Sequence, residues 1–154
     1  MKLYLVQHGD AVSKEEDPER PLSQRGKEES CTCAEYAQKA GIKVDAIWHS
    51  TKMRAAQTAA IFEEALSPAD GVVGRDGLAP KDPVEPVFDQ IEPAGKDIMI
   101  VGHLPFLSKL ATRLICGHDE ERDIIAFRNS GIVCIEKGDE GVWKIAFAAV
   151  PEIM

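Results

Sequence analysis

Three of the chain's four histidines stand at the ends of short apolar runs: His8 in V-Q-H-G-D, His49 in I-W-H-S and His103 in V-G-H-L-P. An imidazole can act as a nucleophile, a base or a hydrogen-bond donor near neutral pH. Arg54 follows His49 closely, in a run that is typical of the first turn of a helix. Histidines and an arginine beside helix N-termini can bind an anion. The sequence therefore contains a candidate anion site.

The same residues also have a plainer interpretation. A single histidine at a strand end is more often a polar side chain that is satisfied within a loop. Arg54 could be a surface charge, although the helix dipole disfavours a cation at a helix N-terminus and so favours another role for it. Spacing alone leaves both interpretations open.

The elements that would position these residues alternate between strands and helices. Apolar runs predict strands at 2–6, 44–48, 71–75 and 97–101, and helical patterns lie at 23–40, 51–66, 87–92 and 105–116. Two further strands, 131–136 and 142–150, flank a Gly-containing turn and predict a C-terminal antiparallel hairpin. The predicted fold is an α/β three-layer sandwich, with a mostly parallel central sheet and helices on both faces, in a single domain over 1–154. In such sheets a ligand binds beyond the carboxyl ends of the strands, where these histidines stand.

Composition narrows the class of protein. The formal net charge of −8 argues against a nucleic-acid-binding surface and against a basic membrane-bound face. The apolar run at the start of the chain is too short for a signal peptide or a spanning helix, so we expect a cytoplasmic protein. The four cysteines form no C-x-x-C pair, and we expect reduced thiols.

Four segments together resemble the histidine phosphatase superfamily. V-Q-H-G-D resembles its Arg-His-Gly motif at the end of the first strand, and S-T-K-M-R-A-A-Q-T-A resembles its Ser-x-x-x-Arg-Ala-x-Gln-Thr-Ala motif. V-G-H-L-P resembles the segment that carries the second motif histidine, and R-P-L-S-Q-R-G resembles a segment of the small members. The short chain and the His-Gly-Asp and His-Leu-Pro segments are most similar to the SixA-type phosphohistidine phosphatases. His49 belongs to none of these motifs and is interpreted as structural.

The resemblance implies roles for individual residues. His8 would be the nucleophile and would form a phosphohistidine intermediate that water hydrolyses. Gly9 would let the backbone approach the phosphoryl group, Arg54 would bind its oxygens through a planar guanidinium, and His103 would donate a hydrogen bond to the developing charge. No metal or other cofactor is implied.

Gln7 departs from the family pattern, which has arginine at that position. Glutamine keeps the hydrogen-bonding ability but loses the charge, which leaves three possibilities: a slower phosphatase, an enzyme with a compensating cation, or a phosphohistidine-binding regulator with little turnover. Arg20, in the Arg-Pro-Leu-Ser segment, is the candidate compensating cation and phosphate ligand. Its alternative is a loop charge paired with Asp17 or Glu19.

The general acid is left open among Asp82, Glu85 and Asp10, or none, because a phosphorylated imidazole leaves readily. The predicted function is a metal-independent phosphohistidine phosphatase whose substrate is a phosphohistidine-bearing protein, either a phosphotransfer domain or a carrier. The alternatives are a phosphatase for small phosphate esters and the low-turnover regulator. The segment Arg128-Asn129-Ser130 is not assigned to the site.

Overall fold

The computed structural model describes residues 1–118 and 122–154. Strands and helices alternate along most of the chain before the two last strands follow each other directly. The elements are β1 (Lys2–Gln7), α1 (Gln24–Lys39), β2 (Ala46–Ser50), α2 (Met53–Leu66), β3 (Val72–Arg75), α3 (Glu85–Ala94), β4 (Ile98–Gly102), α4 (Phe106–Cys116), β5 (Ile132–Lys137) and β6 (Trp143–Ala149), with a 3₁₀ turn at Pro151–Ile153.

All six strands belong to one sheet, in the order β3-β2-β4-β1-β5-β6. The first four strands in this order are parallel, whereas β5 pairs antiparallel with both β1 and β6. The chain runs outward from β1 to β2 and β3 and then returns, so that β4 lies between β2 and β1. This reversal of direction brings the carboxyl ends of β1 and β4 side by side, and such a switch point is where α/β sheets bind ligands.

Side chains alternate across the sheet and bury both of its faces. Leu3 and Leu5 of β1 pack in a cluster with α3 and α4, whereas Tyr4 and Val6 pack in a second cluster with α1 and α2. This arrangement confirms the predicted α/β sandwich with helices on both faces and a C-terminal antiparallel pair. Among the described residues, no helix is long and apolar enough to span a membrane.

The start of α1 is fixed by two local features of the Arg-Pro-Leu-Ser segment. Ser23 caps the helix, because its side chain accepts a hydrogen bond from the Gly26 N–H at 3.0 Å. A Cβ at Gly26 would lie only 2.0 Å from the Asp10 carbonyl oxygen. Glycine at this position therefore lets the helix pack directly against the backbone that follows the first histidine.

Two predicted elements needed correction. β2 is Ala46–Ser50 instead of 44–48, since Val44 is buried by packing before the strand begins. His49 and Ser50 are therefore part of the strand. α3 is Glu85–Ala94, longer than the predicted 87–92, because Pro86 lies in the first turn, where an N–H has no partner within the helix.

Candidate active site

His8 follows β1 directly, and both of its backbone polar groups are held. Its N–H donates to the Gly102 carbonyl at 3.0 Å, and its carbonyl accepts from the Asn129 side-chain amide at 2.8 Å. The ring Nδ1 lies 2.7 Å from the Gly9 carbonyl oxygen. A carbonyl can only accept, so Nδ1 carries the proton and Nε2 is the unprotonated nitrogen with a lone pair. The local backbone thus presents His8 as the tautomer that a nucleophile needs.

Arg54 lies in the first turn of α2 and contacts that lone pair. Its Nε donates to His8 Nε2 at 3.3 Å. Burial and the nearby Arg20 lower the pKa of Arg54. A guanidinium beside the attacking nitrogen is suited to hold the oxygens of a phosphoryl group that approaches His8.

His103 follows β4, the strand next to β1, and its side chain is only 1 % exposed. Its ring centroid lies 5.0 Å from that of His8. Nε2 lies 2.8 Å from the Ser50 hydroxyl at the end of β2. Nδ1 is buried and has no hydrogen-bond partner within the described residues. An unpartnered buried polar atom is rare in native proteins, and here it lies on the ring that faces the first histidine.

Arg20 lines the same cavity as Arg54. Its backbone has a positive φ of 49°, a conformation that is unusual for a residue other than glycine. Its Nε donates to the Val12 carbonyl at 3.1 Å. Within the described residues the guanidinium makes no ion pair, so Arg20 is not paired with Asp17 or Glu19.

The electrostatics of the site keep both histidines neutral. Burial is the largest cause that lowers the pKa of His8, and the charges of Arg54 and Arg20 lower it further, against the opposing hydrogen bond to Gly9. For His103, burial followed by His8 and Arg54 lowers the pKa to about 3. A neutral His8 retains its lone pair, and a neutral His103 can still donate one ring N–H.

Gln7 and Gly9 flank His8 in different environments. Gln7 is the last residue of β1, is partly buried, and makes no side-chain hydrogen bond within the described residues. Gly9 is buried, and its N–H donates to Thr58 Oγ1 at 2.9 Å. A Cβ at Gly9 would come within 2.7 Å of Ser30 Oγ. Glycine is therefore required here by packing against α1, and its backbone holds His8 in place.

Sequence reasoning missed four residues that position the site. Asn129 and Ser130 do reach it: the Asn129 amide binds the His8 carbonyl, and the Ser130 N–H donates to the Gln7 carbonyl at 2.9 Å. Ser50 binds His103, and Thr58 binds Gly9. Ser50 and Thr58 belong to the Ser-x-x-x-Arg-Ala-x-Gln-Thr-Ala motif, which was a usable signal for them. Asn129 had none.

His49 lies inside β2, and its ring contacts the neighbouring residue and the adjacent strand β3. Its Nδ1 lies 2.8 Å from the Ser50 carbonyl, and a Cβ at Gly74 would be 3.0 Å from its ring. These contacts suit the structural role predicted for it.

The three carboxylates considered as acids have different surroundings. Asp82 lines the cavity, and its Oδ2 accepts from the Ala79 N–H at 2.9 Å. Asp10 accepts from the Ser23 hydroxyl at 2.5 Å. The predicted helix bounds of 87–92 left Glu85 in the preceding loop, but Glu85 is the first residue of α3 and pairs with Arg113 at 2.9 Å. Of these three, only Asp82 faces the cavity.

The cavity beside Arg54 has a volume of about 590 Å³. Its walls come from the loop between β1 and α1, the start of α2, and the loop between β3 and α3. Arg54 connects this cavity with the pair of histidines, because it lines the cavity and also contacts His8.

A family model supports the resemblance that the motifs suggested. The model of the histidine phosphatase superfamily (branch 1) matches residues 3–80, a stretch that includes His8, Arg20 and Arg54. The chain belongs to the histidine phosphatase superfamily. It is also 30% identical over 147 residues to an uncharacterized protein of Picosynechococcus sp., with 90% of this chain and 86% of that one covered.

Solved structures with this fold include enzymes with different substrates. The structure of the protein histidine phosphatase SixA complexed with tungstate has a TM-score of 0.86 at 22% identity, with 99% of each chain covered. An alpha-ribazole phosphatase from Shigella flexneri has a TM-score of 0.72 at 19% identity, covering 97% of this chain and 94% of that one. A phosphoserine phosphatase from Entamoeba histolytica in complex with 3-phosphoglyceric acid has a TM-score of 0.68 at 14% identity, with 96% of each chain covered. At these identities the likeness establishes the fold.

Proposed function

We propose that the chain is a metal-independent phosphohistidine phosphatase that acts on a phosphohistidine-bearing protein, with His8 as the nucleophile. The observation that carries this proposal is the tautomer of His8. Its Nδ1–H is fixed by the Gly9 carbonyl, and its Nε2 lone pair lies beside the Arg54 guanidinium. Family membership supports a phosphoryl substrate, and the likeness to the SixA fold supports phosphohistidine. The cytoplasmic location remains a prediction.

The reaction proceeds in two transfers. His8 Nε2 attacks phosphorus, the bond from phosphorus to the substrate imidazole breaks, and the leaving nitrogen takes up a proton. Water then attacks the phosphorus of the enzyme intermediate, which releases inorganic phosphate and the neutral His8. In this proposal Asp82, which lines the cavity, delivers that proton, although an imidazole leaving group needs little help from an acid.

Arg54, His103, Arg20 and Gln7 bind the phosphoryl group in this proposal. The Lys52 N–H donates to Ser50 Oγ at 3.3 Å, and Ser50 Oγ lies 2.8 Å from His103 Nε2. In this proposal the Ser50 hydroxyl is the donor in the second contact. The ring proton is then on Nδ1, the buried atom that has no partner within the described residues. That N–H is free to donate to a phosphoryl oxygen as its charge increases in the transition state.

Gln7 is expected to make the enzyme slower than one with the motif arginine. A hydrogen bond to a charged group contributes about 1.5–3 kcal/mol, which corresponds to roughly a tenfold to hundredfold change in rate. Arg20 compensates for part of this loss, because it brings a second guanidinium to the cavity. Its strained backbone supports this assignment, since residues held in sparsely populated conformations concentrate at functional sites.

A substrate panel tests the proposal. We expect hydrolysis of a protein phosphorylated on histidine to exceed that of sugar phosphates, nucleotides and phosphoserine, and His8→Ala to abolish it. His49→Gln serves as the matched control, because His49 is a strand histidine outside the cluster. Faster hydrolysis of the small esters would instead indicate a small-molecule phosphatase. Tight binding of phosphohistidine without turnover would indicate a regulator.

A further inference from the structure

The cavity beside Arg54 is unusually positive for an acidic protein. The chain carries 26 acidic and 18 basic residues, yet five basic side chains and only two carboxylates line this one cavity. The basic residues are Lys14, Arg20, Lys52, Arg54 and Lys81, and the acidic ones are Glu19 and Asp82. Cations gathered against the overall field indicate a site for a ligand with several negative charges.

The five cations fall into two groups that differ in exposure. Arg54 and Arg20 are partly buried and belong to the proposed phosphoryl site. Lys14, Lys52 and Lys81, which we call the basic rim, are exposed. Within the described residues their ammonium groups make no ion pair. Lys96 and Lys137 do pair, with nitrogens 2.7 Å and 2.8 Å from a carboxylate, whereas Lys27, Lys43 and Lys109 also make no ion pair within the described residues. The basic rim is therefore distinguished by its position around the cavity beside Arg54.

The basic rim is too open to enclose a small molecule. None of the residues that line the cavity is buried. Sites for small ligands usually enclose most of the ligand surface. A protein surface, in contrast, can lie across exposed lysines and place a single modified side chain next to Arg54.

We propose that Lys14, Lys52 and Lys81 form a docking surface for carboxylates that flank the phosphohistidine on an acidic substrate protein. This inference rests on the proposed function and adds the charge of the partner to it. Complementary charge mainly accelerates encounter, and its effect decreases as ionic strength rises. The basic rim should therefore raise kcat/KM for an acidic substrate protein, and the increase should be largest at low salt.

Two synthetic peptides test the charge preference directly. Both carry one phosphohistidine, flanked by glutamates in one peptide and by glutamines in the other. We expect the wild-type chain to prefer the glutamate peptide by about tenfold in kcat/KM at low salt, and the preference to fall as salt is added.

Lysine variants then test whether the basic rim causes the preference for the glutamate peptide. The triple variant Lys14→Gln/Lys52→Gln/Lys81→Gln should lose it. A control triple, Lys27→Gln/Lys43→Gln/Lys109→Gln, changes the net charge equally at exposed lysines outside the cavity and should keep it. Because Lys52 also lowers the pKa of His103, the double variant Lys14→Gln/Lys81→Gln should still weaken the preference.

The outcomes separate this inference from the proposed function. Equal hydrolysis of the two peptides, or a preference that survives the rim triple, overturns the docking surface and leaves the phosphatase standing. Hydrolysis of neither peptide overturns both. A small bisphosphate that is hydrolysed faster than either peptide, in a rim-dependent way, overturns the assignment to a protein.

Discussion

At the amino ends of the parallel strands, the aspartates have partners within the protein. Asp97 accepts from the Lys2 N–H at 2.7 Å, and Asp45 accepts from the Asp97 N–H at 2.8 Å. Asp70 pairs with Lys96 at 2.7 Å. These contacts connect β1, β2 and β4 at the edge of the sheet opposite His8 and His103.

At the carboxyl ends of the same strands, some polar groups lack an ion pair or a hydrogen bond within the described residues. His103 Nδ1 is buried without a hydrogen bond within the described residues. Arg54 and Arg20 lie near each other, and each lowers the pKa of His8. Leaving a buried polar group unpaired costs about 1–3 kcal/mol. The amino edge of the sheet is thus arranged for stability and the carboxyl edge for binding. Variants at the amino edge should mainly lower the free energy of unfolding, and variants at the carboxyl edge should mainly change the rate of catalysis.

The largest effects are expected at the carboxyl edge. Arg54→Ala and His103→Ala should each lower kcat by roughly tenfold or more, up to about a thousandfold, because each removes a donor to the transition state. Steady-state kinetics on a histidine-phosphorylated protein measure this. Unchanged kinetics in both variants would mean that the inferred site does not exist.

Gln7→Arg should raise the rate of turnover, in contrast to the two alanine variants. A restored charged hydrogen bond should raise kcat/KM by up to roughly a hundredfold. A new cation beside His8 also disfavours the imidazolium, so the acidic limb of the pH profile should move to lower pH.

The Gln7→Arg variant has a second possible outcome, which depends on the position of Arg20. If its guanidinium already occupies the place of the missing arginine, the new side chain will crowd it and the rate will stay flat or fall. Turnover measured against pH for both proteins distinguishes the two cases. No gain and no shift would identify Gln7 as an accommodated replacement.

The buried His103 should also make the folded chain sensitive to acid. Its pKa is lowered to about 3 in the folded state and is about 6.5 when unfolded. The unfolded chain therefore binds the proton first, and stability is lost as the pH falls below about 6.5, by about 2 kcal/mol between pH 7 and pH 5. Urea unfolding of the wild type and His103→Asn at the two pH values checks this. An equal loss in both proteins would remove His103 as the cause.

The smallest effect is expected at the amino edge. Asp97→Ala removes the acceptor of the Lys2 N–H and should lower the free energy of unfolding by about 1 kcal/mol, while kcat stays at the wild-type value. Urea unfolding and a turnover assay measure the two quantities. A large loss of activity without a loss of stability would contradict the contrast between the edges.

Much of the fold was predictable, because the strands are buried runs and the helices have clear ends. Ser23 indicates the start of α1, and the apolar run through Ile98 predicts the central strand β4. Both ends of β2 lie two residues later than predicted, because the pattern of apolar residues does not show which of them pair in the sheet. α3 was underestimated, because Pro86 and Pro93 look like helix breakers until their places near the two helix ends are known.

The site was predictable only where a residue follows a strand or lies in a motif. His8, Arg54 and His103 meet at the carboxyl edge because the strand order places β4 beside β1 and β2. Asn129 lies 121 residues from His8 in the chain and binds its backbone, a contact that no local pattern encodes. The positive φ of Arg20 is a backbone feature that its sequence neighbours do not indicate.

The central claim, that His8 carries the phosphoryl group, is tested most directly by trapping the intermediate. The chain is mixed with radiolabelled phosphoramidate, quenched in alkali during turnover, and digested to locate the label. The account predicts an acid-labile, alkali-stable phosphoryl group on His8, which is absent from His8→Ala. Label on His103, His49 or His118, or steady turnover with no labelled protein at all, would contradict it.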